Sequence, residues 1–332
     1  MMERRSAFIA IVGRPNVGKS SLLNKLLGEK IAIVSSKPQT TRTRIMGVLT
    51  EEDTQLVFID TPGLHKPRND LDRYMLRSIN ESVAGVDLCV LVTEADEPVA
   101  EEEKQLVEKF RSLDMPAVLV INKIDTLQDK TVLAKQLAEW SVLYDFSAVV
   151  PCSAQTGDGL TALKKEMRAL AAEGDFLFDE DTLTDQPERV IAAEMIREKL
   201  LRLLEREVPH GTAVVVERMK ERNDGALIDM DATIYCERAS HKGIIIGKGG
   251  AMLKRIGTYA RQDMERFFGC KVNLQIWVKV KEDWRSRGEE MLRVMGYDSS
   301  DFDSGHNCYL SGWKDFSIHK QRACNVGTPP PR

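Results

Sequence analysis

The chain has 332 residues, 42% hydrophobic and 30% charged, with a formal net charge of −4. That length suits two domains and a tail, and the acidic balance excludes a protein that coats polyanions over its whole surface. No apolar run reaches the ~18 residues of a spanning helix, the stretch "MMERRSAFIAIVG" has too short an apolar core for a signal peptide, and six cysteines without a CxxC pair read as free thiols of a reducing, cytoplasmic compartment.

In chain order, "SAFIAIVG" (6–13) reads as a buried strand, followed by a glycine loop and the helix "KSSLLNKLLG". "TQLVFIDTPG" (54–63), "DLCVLVTEA" (87–95), "PAVLVINKID" (116–125) and "SAVVPCSA" (147–154) read as four further strands, with "EEEKQLVEKFRSL" and "TVLAKQLAEWSVLY" among the helices between them. Continuous apolar strands alternating with amphipathic helices predict an α/β fold on a mostly parallel, doubly wound sheet, whose ligands bind at the carboxyl ends of the strands. The alternation stops near residue 175. Residues 176–189 are acidic, contain Pro187 and read as a linker. A strong helix, two strands, a glycine-interrupted helical stretch and a last strand follow, an α-β-β-α-α-β order that predicts a smaller α+β domain. The expected limits are 1–175 for the first domain, 176–189 for the linker, 190–297 for the second domain and 298–332 for an irregular, disordered tail.

Gly13-x4-Gly18-Lys19-Ser20 is a P-loop pattern between a strand and a helix. Glycines let backbone N–H groups from Gly13 through Asn16, Val17, Gly18 and Ser21 close on phosphate oxygens, and the helix points its positive end at the anion. Lys19 reaches the β and γ phosphates, and Ser20 offers a hard oxygen to Mg²⁺. "NKID" (122–125) selects the base: the Asp125 carboxylate accepts from guanine N1–H and N2–H₂, a donor pair adenine lacks. Asn122 and the Lys123 stem support the base, and "SAQTG" puts Ser153 and the Ala154 N–H near guanine O6. In "DTPG", Asp60 holds the metal through water and the Gly63 N–H meets the γ phosphate. In "QTTR" a threonine hydroxyl completes the Mg²⁺ shell, Thr41 or alternatively Thr40. The expected catalytic set is Lys19, Thr41, Asp60 and Gly63, and the expected cofactors are GTP or GDP with Mg²⁺.

These five motifs, in this order, resemble the translation-factor-like small GTPases. The resemblance implies GTP hydrolysis and loops at QTTR and DTPG that change shape with the nucleotide. The residue after DTPG is Leu64, which cannot orient water as a glutamine would. It resembles a subgroup in which a P-loop Asn, here Asn16, helps bind K⁺, so K⁺ is a further expected cofactor.

From Arg238 to Lys281 there are ten Lys or Arg against two Asp or Glu, a net of +8, so the rest of the chain carries −12. Within this island, Gly247-Lys248-Gly249-Gly250 follows Ile244, Ile245 and Ile246 and precedes an amphipathic helix. A Gly-x-x-Gly turn between helices can press its backbone on nucleotides. Lys242, Lys248, Lys254 and Arg255 are the expected phosphate contacts, and Ile244, Ile245, Ile246, Leu253 and Ile256 the expected groove floor. Trp277 alternates with charges on a strand and reads as core. This second domain resembles a KH domain. A GTPase of this kind joined to one KH domain resembles the Era family of bacterial GTPases, on "GRPNVGKSSLLNKLLG", "QTTR", "DTPGLH", "NKID", "IREKLLR", "IGKGG" and "WVKVKEDW". The resemblance implies binding of the 3′ end of 16S ribosomal RNA, a part in small-subunit assembly, a monomer, and peripheral association with the inner face of the cell membrane. The other reading is a nucleotide-sensing RNA scaffold whose hydrolysis is incidental.

Overall fold

A computed structural model describes residues 3–294 except 38, 65–68, 130 and 223–224, together with 297, 318 and 319. The expected tail therefore lies outside the described residues, apart from the two-residue strand Ile318–His319. The chain forms two compact units that divide at Thr184 and Asp185.

The first unit is built on one sheet in the order β2-β3-β1-β4-β5-β6. Its strands are β1 (Arg5–Val12), β2 (Ile45–Glu51), β3 (Thr54–Asp60), β4 (Leu88–Glu94), β5 (Ala117–Asn122) and β6 (Ala148–Pro151). Ile9, Val57, Leu91 and Leu119 are all fully buried, as expected of strands covered on both faces. Pairing is parallel from β3 through β1, β4 and β5 to β6. Sequence reading missed β2, which pairs antiparallel with β3 from Ile45↔Asp60 to Glu51↔Thr54. Its turn is Glu52-Asp53, with Glu52 at φ 55, and carries none of the Asn-Gly or Asp-Gly signal that marks most two-residue hairpins. Around the sheet run α1 (Lys19–Leu27), α2 (Asp70–Ala84), α3 (Glu101–Ser112), α4 (Thr131–Leu143) and α5 (Leu160–Leu170). β1 lies between β3 and β4, so the chain reverses its direction of winding there and leaves a crevice at the carboxyl end of β1.

The acidic stretch after α5 is ordered by the sheet. β7 (Ala172–Glu173) pairs with the start of β1. The amides of Leu177 and Phe178 donate to Gln55 Oε1 at 2.8 and 2.9 Å, and β8 (Thr182–Thr184) is buried, with Thr184 Oγ1 donating to the Met46 carbonyl.

The second unit comprises α6 (Glu188–Leu203), β9 (Thr212–Arg222), β10 (Leu227–Cys236), α7 (Ala239–Ile246), α8 (Ala251–Phe268), β11 (Lys271–Val280) and α9 (Glu289–Val294). β10 is central, antiparallel to β9 and parallel to β11. A parallel pair needs a crossover, which α7 and α8 supply. Trp277 is not core. Period-two alternation on β11 turns Val272 and Val278 inward and leaves Trp277 44% exposed. The core tryptophan is Trp284, fully buried, stacked on Tyr297 at 5.9 Å and donating its Nε1–H to the Gly211 carbonyl at 3.0 Å. Trp284→Ala is expected to cost ~3–5 kcal/mol and Trp277→Ala within ~0.5 kcal/mol, read by denaturant unfolding of the second unit's signal.

Candidate nucleotide site and nucleic-acid groove

In the first unit the loops after β1, β3, β5 and β6 converge on a cleft of about 660 Å³. Glycine is required where backbone meets backbone. A Cβ on Gly13 (φ 144) would lie 2.2 Å from the Val92 carbonyl oxygen, and one on Gly63 2.7 Å from Pro15 Cα. A Cβ on Gly18 (φ 101) would strike Asn122 Nδ2 at 2.2 Å. Lys19 runs back under the loop, and its Nζ donates to the carbonyls of Gly13 (3.0 Å) and Arg14 (2.8 Å). Burial lowers its pKa to about 8, against the pull of Asp60.

Ser20, Thr41 and Asp60 meet although they lie on α1, the loop before β2, and β3. Ser20 Oγ donates to Asp60 Oδ2 at 2.6 Å and lies 2.8 Å from Thr41 Oγ1, which is itself 3.4 Å from the same carboxylate. Thr40, the alternative, turns its hydroxyl to the Lys37 carbonyl at 2.6 Å. Asp60 is fully buried, and its Oδ1 has no hydrogen-bond partner. Burial raises the Asp60 pKa to about 6, with Lys19 opposing. A hard oxygen set with one orphaned carboxylate oxygen fits Mg²⁺, which binds a few protein oxygens and keeps its remaining waters. Asn16, at φ 67, donates from Nδ2 to the Ser36 carbonyl at 2.8 Å. Leu64 packs its side chain on the core and donates its N–H to the Gly13 carbonyl at 3.2 Å.

At the other end of the cleft, Asp125 is exposed and its Oδ1 accepts from Ser153 Oγ, which aims the carboxylate. Lys123 adopts φ 65 and pairs with Glu94. Asn122 departs from expectation. It is buried, its Nδ2 donates to the Val17 carbonyl at 2.7 Å, and its Oδ1 accepts the Ala154 N–H at 2.9 Å. A buried carboxamide must satisfy both its ends. The Ala154 N–H expected to face guanine O6 is therefore spent on Asn122, which ties the P-loop to the loop after β6. Asn16, Gly18, Lys19, Ser20, Ser21, Thr41, Gly63, Asn122, Lys123, Asp125 and Ala154 all line the cleft. Gly13, Val17, Asp60 and Ser153 are not part of that lining, and Pro15, the stretch 33–36, Gln39, Thr126 and Gln155 on it were missed.

In the second unit, Gly247 (φ 73), Gly249 (φ 59) and Gly250 (φ 81) form the turn between α7 and α8. A Cβ on Gly247 would press Met252 at 2.8 Å, whereas Gly249 and Gly250 face open space. Beside the turn, α8 and β11 enclose a groove of about 510 Å³. Gly250, Leu253, Lys254, Gly257 and Arg261 give its helical wall, and Leu274 and Ile276 its strand wall. Ile245 and Ile256 are fully buried in the core and not the groove floor. Ile246 packs against that core, and Lys248 is exposed at the turn. Lys242 and Arg255 are not part of the lining; Arg255 sits over the Tyr259 ring at 5.7 Å. Gly257, Thr258 and Arg261 on α8, and Val272, Asn273, Leu274 and Ile276 on β11, were missed. The i, i+3/i+4 spacing of 250, 254, 257 and 261 would have found Arg261.

The pKa of Asp60 gives a test with a defined sign. Because it is raised from 3.8 to about 6, the folded unit without ligand loses stability as pH rises from about 4 to about 6, as Asp60 ionises, and stays lower above that. Asp60→Asn is expected to raise the melting temperature of the ligand-free protein at pH 7.5, each kcal/mol being worth about 2–4 °C in a domain of this size. The gain should vanish near pH 4, and the variant should lose the added stabilisation by Mg²⁺ with GDP; thermal melts at both pH values check this.

The family model described as 50S ribosome-binding GTPase matches residues 8–123, and that of the KH domain matches residues 207–285. GTPase Era of Ruminiclostridium cellulolyticum is 48% identical over 299 residues, 90% of this chain and 99% of the relative. GTPase Era of Clostridioides difficile is 49% identical over 298 residues, 89% of this chain and 99% of the relative. The crystal structure of an Aquifex aeolicus Era variant bound to GDP and AlF₄⁻ superposes with a TM-score of 0.85 at 37% identity, covering 89% of this chain and 99% of that one. Era in complex with MgGDPNP and nucleotides 1506–1542 of 16S ribosomal RNA gives 0.83 at 37% identity, with the same coverage. A P-loop unit and a KH unit in one chain, matched by such relatives over nearly their whole length, show that the chain belongs to the Era family of GTPases.

Proposed function

We propose that the chain is a GTP-hydrolysing switch that binds the single-stranded 3′ end of 16S ribosomal RNA in its KH groove and acts in small-subunit assembly. The observation that carries the reading is the convergence of Ser20, Thr41 and Asp60 beside Lys19, at the end of a cleft whose other end is Asp125. A related structure holds MgGDPNP and 16S ribosomal RNA together. The working limits move from the expected 1–175, 176–189 and 190–297 to a GTPase domain that runs to Thr184 and a KH domain that starts at Asp185, with no separate connecting segment.

Lys19 stabilises charge on the β and γ phosphates, Asp125 reads guanine, and Ser20, Thr41 and Asp60 hold the metal position. Mg²⁺, when bound, neutralises the charge that develops on the transferred phosphoryl group. With Leu64 packed on the core, backbone groups of Gly63 and its neighbours place the water. K⁺, if bound beside Asn16, would be held through Asn16 Oδ1 and would supply the positive charge that an arginine finger gives elsewhere; Asn16 Nδ2 itself donates to the Ser36 carbonyl. Gly247, Lys248, Gly249 and Gly250 clamp the RNA backbone, and Lys254 and Arg261 meet phosphates. The protein acts as a cytoplasmic monomer that associates peripherally with the inner face of the membrane; no described helix is long and apolar enough to cross one.

Leu64 also favours the second reading, an RNA scaffold whose hydrolysis is incidental. The two separate on turnover. Intrinsic hydrolysis is expected on the order of 10⁻⁴–10⁻² s⁻¹, to rise with a short single-stranded RNA from the 16S 3′ end, and to lose that rise in Arg261→Ala but not Arg255→Ala. RNA that binds without changing turnover favours the scaffold. Replacing K⁺ by Na⁺ is expected to slow hydrolysis at saturating GTP; equal rates remove the monovalent ion from the mechanism.

A further inference from the structure

The position of Lys19 Nζ depends on the backbone of residues 13 and 14, whose carbonyls hold it at 3.0 and 2.8 Å. Gly13 is fixed by contact with β4, since its absent Cβ would lie 2.2 Å from the Val92 oxygen. Arg14 is held by its own side chain. Its Nε donates to Glu103 Oε1 at 3.0 Å, and the second carboxylate oxygen, Oε2, accepts the Ala100 N–H at the start of α3 at 2.8 Å. One carboxylate thus grips a helix start with one oxygen and the P-loop with the other. Although cationic and next to a phosphate nest, Arg14 does not line the cleft; its charge is directed at α3. Neither residue is specified by a motif: Arg14 fills a variable position of the P-loop pattern, and Glu103 is the last of three consecutive glutamates.

A helix cap alone does not account for this geometry. The cap needs one carboxylate oxygen, the one that accepts the Ala100 N–H, and leaves the other to Arg14. Glu103 is fully buried, a placement that disfavours a carboxylate unless its other oxygen is matched by charge. Burial indeed pushes its carboxyl up, with the Ala100 N–H and Arg14 opposing.

We propose that Glu103 is a positioning residue for GTP turnover: through Arg14 and the residue-14 carbonyl it sets Lys19 Nζ against the β and γ phosphates. The inference rests on the GTPase reading above. It is tested in the full chain with Arg14→Met, which removes the clamp and leaves the α3 cap, and Glu103→Gln, whose carbonyl still accepts the Ala100 N–H while the charge facing Arg14 is lost. Each is expected to lower kcat about tenfold or more, with a smaller change in KM, as a misplaced catalytic group does. The double variant is expected to be no slower than the worse single one. Unchanged kcat in both variants, whatever happens to their melting temperatures, would reduce Glu103 to a helix cap and overturn the proposal. So would effects that multiply in the double variant, because they would make the two residues independent. An unmodified chain with no GTP turnover would bring down the GTPase reading itself, and this inference with it.

Discussion

Two opposite charges buried at the carboxyl ends of β1 and β3 set the terms for the first unit. Lys19 and Asp60 are each disfavoured by burial and each favoured by the other. Their remaining support comes from neutral groups, two carbonyls for the ammonium and two hydroxyls for the carboxylate. A triphosphate with a divalent cation brings the complementary charges together, so one ligand relieves both. Around these two charges the crevice is lined by glycine and short polar side chains, Gly18, Ser20, Ser21, Thr41 and Gly63. Anything larger would fill the space that lets backbone amides, rather than side chains, meet the anion.

A site made of loops needs fastening, since loops are the more mobile parts of a fold. Here the fastenings are buried and half-buried polar side chains that act on neighbouring loops. Asn122 joins the P-loop to the loop after β6. Asn24, on α1, accepts from the Ile31 and Ala32 amides and donates to the Ala32 carbonyl. Ser153 aims Asp125. Each has its polar atoms matched by specific partners, which is the condition under which a buried polar group orders a structure rather than weakening it. Motif residues thus divide into those that face the ligand and those that hold such residues in place.

The second unit solves a related problem with an open surface. Its turn glycines take positive φ, two of them facing open space, so a nucleic-acid backbone can approach without meeting side chains. The groove wall alternates small, apolar and cationic positions along α8, the pattern on which the proposed seating of bases and phosphates rests. Phosphate contact of this kind weakens with salt, and base contact carries the sequence preference.

The sequence alone determined the fold class, the order of the parallel strands of the first unit, the α-β-β-α-α-β order of the second and just over half of the residues that line the cleft, but not β2, β7, β8 or α9. Those signals are local: apolar runs, helical spacing, and glycines where the chain must turn tightly. Tertiary structure decided what depends on residues distant in sequence. It brought Ser20, Thr41 and Asp60 together and left Thr40 facing its own loop. It buried Asn122 and so redirected the Ala154 N–H. It put Trp277 on the outward face of edge strand β11, because a strand's inward face is fixed by register against its neighbour, and it buried Trp284 in the turn after that strand. It also gave Glu103 to Arg14 across 89 residues of chain, a pairing that no local pattern encodes because it exists only once α3 packs beside the P-loop.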